Sequence, residues 1–196
     1  MLTARQRAIA DAPWSWLHQV HGSRVWEVAS PGDRAGAEGD ALWTASLAAP
    51  IAVQIADCAP VALIGDNGTV AVAHAGWRGL VAGVIESTAG ALRRRGAETV
   101  LAIAGPCITP AAYEFSEADL DVVADALGAG VRSVTADGRP ALDMPAAVRL
   151  ALARSEVDLA DDLGDCTAAN AGRWWSHRAR GDTERQAMVA WLEEAP

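Results

Sequence analysis

One α/β domain is the fold this chain predicts, on three observations. Strand-like and helix-like apolar patterns alternate along its 196 residues without a linker or an internal repeat. An Asn67-Gly68 pair lies between two apolar runs, the strongest short-range hairpin signal. The composition, 51% hydrophobic and 21% charged, is that of a globular chain long enough to bury a sizeable core. Residues 1–196 are therefore read as one domain, with a short N-terminal arm over 1–15.

Residues 3–10 read as a short helix or an arm. Trp16–Val20 and Arg24–Ala29 read as extended segments joined at His21-Gly22. Residues 30–40, "SPGDRAGAEGD", form a polar, glycine-rich loop before a short strand at Ala41–Thr44. The stretch Ile51–Gly83 holds two apolar strands and the start of a helix. A two-residue turn at Asn67-Gly68, with positive φ at both positions, would set Val61 opposite His74. Cys58 would then lie three residues beyond, roughly 10 Å along the strand. Pro60 cannot donate to a ladder, so the chain is expected to bend there and bring Cys58 back.

Further on, Leu80, Val81, Val84, Ile85 and Leu92 recur at helical spacing up to Gly96, a natural residue past a helix end. Thr99–Ala104 reads as a buried strand ending at Gly105-Pro106-Cys107. Ser116 with Asp119 resembles a capping box, opening a helix to about Leu127. Val131–Val134 reads as a strand, followed by a turn at Asp137-Gly138. Asp143, with Pro145 in the first turn, opens a helix to about Arg154. Thr183 with Gln186 is read as the cap of a final helix whose apolar face holds Met188, Val189 and Leu192.

Charge narrows the function classes. The net charge is −9, and all 16 basic residues are arginine. Nucleic-acid binding rests on neutralising phosphates, so it is not expected; a small anion held by one local arginine is compatible. No apolar run approaches the roughly 18 residues of a membrane span, and the N-terminus lacks an apolar signal core. Three cysteines at wide spacing fit a reducing compartment better than a disulfide framework. The protein is read as cytoplasmic, a monomer or small homo-oligomer.

The chemistry-bearing residues cluster near the hairpin. Cys58 and His74 come to one end of a small sheet, and His21 lies upstream in "QVHG". Two imidazoles and a thiolate make a three-donor zinc set with an open fourth position. Their separations of 37 and 16 residues match no compact zinc motif, and Cys58 and Cys107 also suit small buried hydrophobes. Arg78 lies between Trp77 and Gly79 at the start of a helix, where it suits an anion clamp or a stem covering apolar surface. His18 and His177 are read as packed or solvated histidines without a role.

Six segments decide further: "QVHG" (19–22), "DALWT" (40–44), "ADCAPVAL" (56–63), "HAGWRG" (74–79), "GPCITPAAYEF" (105–115) and "WSHRARGDTERQ" (175–186). Together they resemble the YfiH or laccase-domain family, whose members are labelled polyphenol oxidase, peptidoglycan editing factor or purine nucleoside phosphorylase. The resemblance runs from about Trp14 to Leu192, with the motifs in family order. It implies a layered α/β sandwich with a mixed sheet and a zinc bound by His21, Cys58 and His74, copper being the alternative. It also implies phosphorolysis of adenosine, inosine, guanosine and methylthioadenosine, with adenosine deamination, so nucleoside and phosphate are the expected partners. Gln19, Arg78, Cys107 and Arg178 are read as the residues on the substrate side. Two departures stand out: a shorter arm before "QVHG", and His177 where many relatives have tyrosine.

The two reactions ask for different groups. Zinc with three protein donors lowers the pKa of water to about 7, and the hydroxide could attack C6 of adenine. No H-x-E pair is present to shuttle the proton; Asp57 is the nearest carboxylate, and as a strand neighbour of Cys58 it would point to the opposite face. Phosphorolysis needs phosphate held beside the anomeric carbon, a task for Arg78 and the amides near Gly79. A cysteine hydrolase or amidase editing peptidoglycan precursors would instead use Cys58 or Cys107 with a histidine base. A copper polyphenol oxidase is disfavoured by four histidines with no His-x-His pair.

Overall fold

A computed structural model describes residues 4–194. In chain order it contains α1 (Ala4–Ile9), β1 (Ser15–His18), β2 (Val25–Val28), β3 (Ala37–Glu38), β4 (Ala41–Thr44) and β5 (Ile51–Ile55). The centre of the chain supplies β6 (Ala59–Gly65), β7 (Thr69–Ala75), α2 (Trp77–Val81), α3 (Val84–Arg94) and β8 (Val100–Ala104). There follow α4 (Glu117–Leu127), β9 (Arg132–Val134), β10 (Pro140–Leu142), α5 (Met144–Arg154), β11 (Asp158–Asp162), α6 (His177–Arg180) and β12 (Gln186–Ala190). Residue 3, the first of the expected arm helix, lies outside the described residues.

The strands form a mixed six-stranded sheet in the order β11-β8-β6-β7-β4-β2 and a four-stranded sheet in the order β12-β5-β1-β3, with β9 and β10 paired apart. Two cores make the layers. Val61, Leu63, Ala71 and Ala73 on one face of the large sheet pack with Ile85 and Leu92 of α3 and Leu152 of α5. From the other face Leu42, Ala62, Val70 and Val72 meet Leu17, Ile51 and Val53 of the smaller sheet. A strand covered on both sides reads as an unbroken apolar run, and every residue of β7 is buried.

The hairpin forms, with a different turn. Gly65 pairs with Thr69 across a three-residue loop, Asp66-Asn67-Gly68, and only Gly68 has positive φ, at 76°. That extra loop residue shifts the register by one, so Pro60 stands opposite His74 and Val61 opposite Ala73. Pro60 does not bend the strand. Its carbonyl accepts from Gly105 N–H at 2.9 Å, so its missing donor falls just beyond the β6–β8 ladder. The chain turns at Asp57, whose φ is 95°.

Other expectations divide in the same way. The Ser116 and Asp143 caps form as read, each hydroxyl or carboxylate oxygen accepting an N–H three residues on. The helix expected over 80–92 is broken at Gly83 (φ 81°) into α2 and α3. The final helix is a correction: Gln186–Ala190 is β12, antiparallel to β5, with Met188 opposite Val53. Met188, Val189 and Leu192 fit either period over so short a run, and the open edge of β5 decides for a strand. β11, with the sequence "DLADD", pairs in parallel with β8 at the sheet edge, where its exposed acids deter further pairing. Among the described residues no helix is long and apolar enough to cross a membrane.

Leu63, fully buried in the middle of the large sheet, measures how much the α-side core contributes. Leu63→Ala should lower the unfolding free energy by about 2–5 kcal/mol in urea titration. A loss under about 1 kcal/mol would mean the site collapses without a cavity, against the close packing described.

Candidate metal centre

Three stretches of the chain meet at one end of the large sheet. His21 lies in the β1–β2 connection, Cys58 directly precedes β6, and His74 is the penultimate residue of β7. Their donor atoms all lie within 4.8 Å of one another, and among the described residues no other group of His, Cys, Asp or Glu does this. Cys58 Sγ is 3.8 Å from His21 Nε2, and the two imidazole rings meet edge to face at 4.7 Å. At bond lengths of about 2.0–2.3 Å to one ion, a nitrogen and a sulfur sit at a comparable spacing.

Asp40, completely buried just before β4, orients the trio. It accepts from His74 Nδ1 at 2.8 Å, which leaves Nε2 to face the site. It also accepts from the backbone N–H groups of His21 at 2.9 Å and Gly22 at 2.7 Å, fixing a turn in which His21 has φ 59°. A carboxylate behind a histidine is the usual support of a metal-binding imidazole. Gly76 keeps the space open: a Cβ there would stand 2.7 Å from His21 Cδ2 and 3.1 Å from Cys58 Sγ.

Burial alone would raise the Cys58 thiol, but His21 and His74 outweigh it and bring it down to about 6. Burial likewise disfavours charge on His74, and the hydrogen bond to Asp40 with the nearby sulfur raises it to about 9. Asp40 is held below the ordinary carboxylate range: burial opposes this, and the bonds from His74 and Gly22 prevail. The trio is thus built to hold positive charge, as a proton or as a metal ion, and its donor set fits a metal.

The trio lies in the wall of a cleft of about 610 Å³, lined also by Gln19, Asp57, Trp77, Arg78, Tyr113 and Arg178. Trp77, Phe115 and Tyr113 form an edge-to-face aromatic row. Arg78 lies over Trp77 at 4.2 Å and Arg178 over Tyr113 at 4.9 Å, so the row carries a guanidinium at each end. Among the described residues neither arginine has a carboxylate partner, unlike Arg132, Arg139, Arg149, Arg173 and Arg180. α2 has only five residues, so its amides add little to Arg78.

The remaining expected residues divide. Gln19 reaches the cleft wall, yet both ends of its amide bond the backbone of Gln54, at 2.8 Å each, and tie β1 to β5. Cys107 is outside the cleft lining; it is buried beside Ala59 and Gly105, under α5, and burial pushes its thiol up to about 12. Cys107 N–H bonds Asp165 O, and Cys107 bridges in parallel to Cys166. Asp57 is not a strand residue pointing away. It lines the cleft, with one carboxylate oxygen 2.6 Å from Thr167 Oγ1 and the other 2.7 Å from Arg178 N. Asp40 opens the "DALWT" segment with no local signal for a role; only the fold brings it under His74.

Fold and site together define a mixed α/β protein with a candidate mononuclear metal centre in an arginine-flanked cleft. The chain belongs to the family described as multi-copper polyphenol oxidoreductase laccase, whose profile matches residues 2–193. It is 38% identical over 185 residues to a Pseudomonas aeruginosa protein named purine nucleoside phosphorylase, covering 92% of this chain and 74% of that one. It is 35% identical over 182 residues to the Escherichia coli purine nucleoside phosphorylase YfiH, covering 90% and 73%. The solved structures of YlmD from Geobacillus stearothermophilus (26% identity, 97% and 77% covered) and of a Neisseria meningitidis DUF152 protein (28%, 97% and 78%) each superpose with a TM-score of 0.83.

Asp40→Ala should weaken metal binding about 10–100-fold in chelator competition, because His74 loses its orienting acceptor. Unchanged affinity would show that the sheet alone orients His74.

Proposed function

We propose that this protein is a zinc-dependent purine nucleoside phosphorylase acting on adenosine, inosine, guanosine and methylthioadenosine, with hydrolytic adenosine deamination as a second reaction. One observation carries this: a His-Cys-His donor set and two arginines free of carboxylates face the same cleft. The names of the relatives point the same way.

In phosphorolysis a phosphate oxygen bonds to the anomeric carbon, the bond from that carbon to the purine nitrogen breaks, and the purine leaves with the electron pair and takes a proton. Phosphate brings negative charge into an already acidic protein, so fixed local cations are required. Arg78 offers a planar fork for two phosphate oxygens and is steadied by its stacking on Trp77. Arg178, on Tyr113, brings a second positive charge to the same cleft. Trp77 and Tyr113 of the aromatic row line the cleft and give it apolar surface suited to a purine. Zinc held by His21, Cys58 and His74 would supply Lewis acidity at its open position. Asp40 would keep His74 in the tautomer that presents Nε2 to it.

Asp57 is the only carboxylate lining the cleft among the described residues, and both its oxygens are engaged. Deamination would therefore lack a free carboxylate to shuttle protons, which favours phosphorolysis as the main reaction. Four histidines are too few for several copper centres, and His18 and His177 lie outside the donor set. A second reading has its own support: Cys58, His74 and Asp40 are in the order of a thiol, a base and an orienting acid. A cysteine hydrolase acting on peptidoglycan precursors would use that set without metal.

Metal content separates the two. Protein purified without added metal should contain about one zinc per chain, chelation should abolish inosine cleavage, and zinc should restore it. Cys58→Ala should lose the metal while keeping the fold; full zinc retention in that variant would refute the assignment. Cys107→Ser should lose less activity than Cys58→Ala, and a dead Cys107→Ser with zinc intact would favour the hydrolase.

Arg78→Lys keeps the charge and loses the fork. Its phosphate KM in inosine cleavage should rise roughly tenfold, with adenosine deamination less affected. Equal losses in both reactions at equal zinc content would assign Arg78 a supporting role.

A further inference from the structure

Asp57 is buried and is one of five residues other than glycine with positive φ among those described, at 95°. A backbone held there is strained, and such strain persists where surrounding contacts enforce it. The contacts enforcing it come from stretches distant in the chain. One carboxylate oxygen accepts from the hydroxyl of Thr167, itself fully buried, at 2.6 Å, and the other from the backbone N–H of Arg178 at 2.7 Å. The Asp57 carbonyl accepts from Ile108 N–H at 2.9 Å.

We propose that Asp57 is a positioning residue that fastens the segment 165–182 across the cleft and thereby aims Arg178 at the substrate phosphate. The proposal rests on the phosphorolysis reading for the identity of the anion. Apart from the four residues of α6 the segment is irregular, and most of its residues are exposed. It is joined to the rest of the fold at its start, where Asp165 O and Thr167 N–H bond the backbone of Cys107, and at Trp175, whose N–H and carbonyl bond the Gln186 side chain. Between these joins Arg180 and Asp182 brace it internally, and Asp57 holds the first turn of α6. Asp57 bonds the very residue whose guanidinium enters the cleft. With the backbone N–H of Arg178 fixed, its side chain reaches over Tyr113, and Nη1 donates to Glu114 O at 3.1 Å. The other guanidinium N–H groups have no protein acceptor among the described residues and remain for an anion. The carboxylate thus acts through hydrogen-bond geometry, and the substrate meets Arg178.

The test compares Asp57→Ala, Asp57→Asn and Thr167→Val with the unaltered protein. Zinc content, tryptic cleavage after Arg173, Arg178 and Arg180, and separate KM values for phosphate and inosine are measured. Asn keeps both contacts, its oxygen accepting from Arg178 N–H and its amide donating to Thr167 Oγ1. In Asp57→Ala zinc content should be unchanged and cleavage in the segment faster. Its phosphate KM should rise roughly tenfold, with inosine KM and kcat at saturating phosphate changed less than about threefold. Thr167→Val, which removes one contact, should fall between, and Asp57→Asn should recover most of the phosphate affinity and the protection. Asp57→Asn as impaired as Asp57→Ala would overturn the proposal, because the negative charge itself would then be required. So would unaltered protection and phosphate KM in Asp57→Ala, or in Thr167→Val if the alanine variant does not fold. If the unaltered protein cleaves no nucleoside with phosphate, the phosphorolysis reading fails, and the tryptic comparison still decides whether Asp57 anchors the segment.

Discussion

Four donors from two distant stretches converge on the buried carboxylate of Asp40, and the rest of the site depends on that convergence. Val20, His21 and Gly22 bring their backbone N–H groups from the β1–β2 connection, and His74 brings its Nδ1 from β7. Asp40 also receives His74 N–H on its own carbonyl, at 2.8 Å. A buried anion is tolerated only when its partners are complete, and removing one leaves an uncompensated charge. The same bonds that satisfy Asp40 set the left-handed turn at His21 and the orientation of His74. The two histidines therefore share one anchor, and the layered cores beneath hold Cys58 beside them.

Charge is distributed against the average of the molecule. With 25 acidic and 16 basic residues the surface repels anions, yet the cleft presents arginines stacked on aromatic rings. Several arginines elsewhere are paired with carboxylates, such as Arg149 with Asp162 at 3.4 Å and Arg173 with Asp165 at 2.8 Å. Stacking holds Arg78 and Arg178 in place without neutralising them. Two exposed guanidinium groups without carboxylate partners make the cleft locally positive against the surrounding negative field.

Much of this was legible in the sequence where the signal is local. The β6–β7 hairpin, the Ser116 and Asp143 caps and the unbroken apolar runs of β6 and β7 depend on neighbours within a few residues; the caps and the runs fold as read, and the hairpin forms with a different turn. The register slipped by one because Asn67-Gly68 suits both a two-residue turn and a three-residue loop with glycine last. Elements decided by distant partners were misread or missed: β12 needs the edge of β5, and the acidic β11 needs the end of β8. Asp57 was set aside on the premise of an extended strand, and its φ of 95° turns it back into the cleft. Asp40 reads as part of a solvated glycine-rich loop until its donors assemble around it.

The central claim is one zinc held by two imidazoles and one thiolate, and X-ray absorption at the zinc edge tests it most directly. The account predicts one sulfur at about 2.3 Å and nitrogen or oxygen donors at about 2.0–2.1 Å, with the sulfur lost in Cys58→Ala. A zinc shell without sulfur, or one with several sulfurs, would contradict the His21–Cys58–His74 centre.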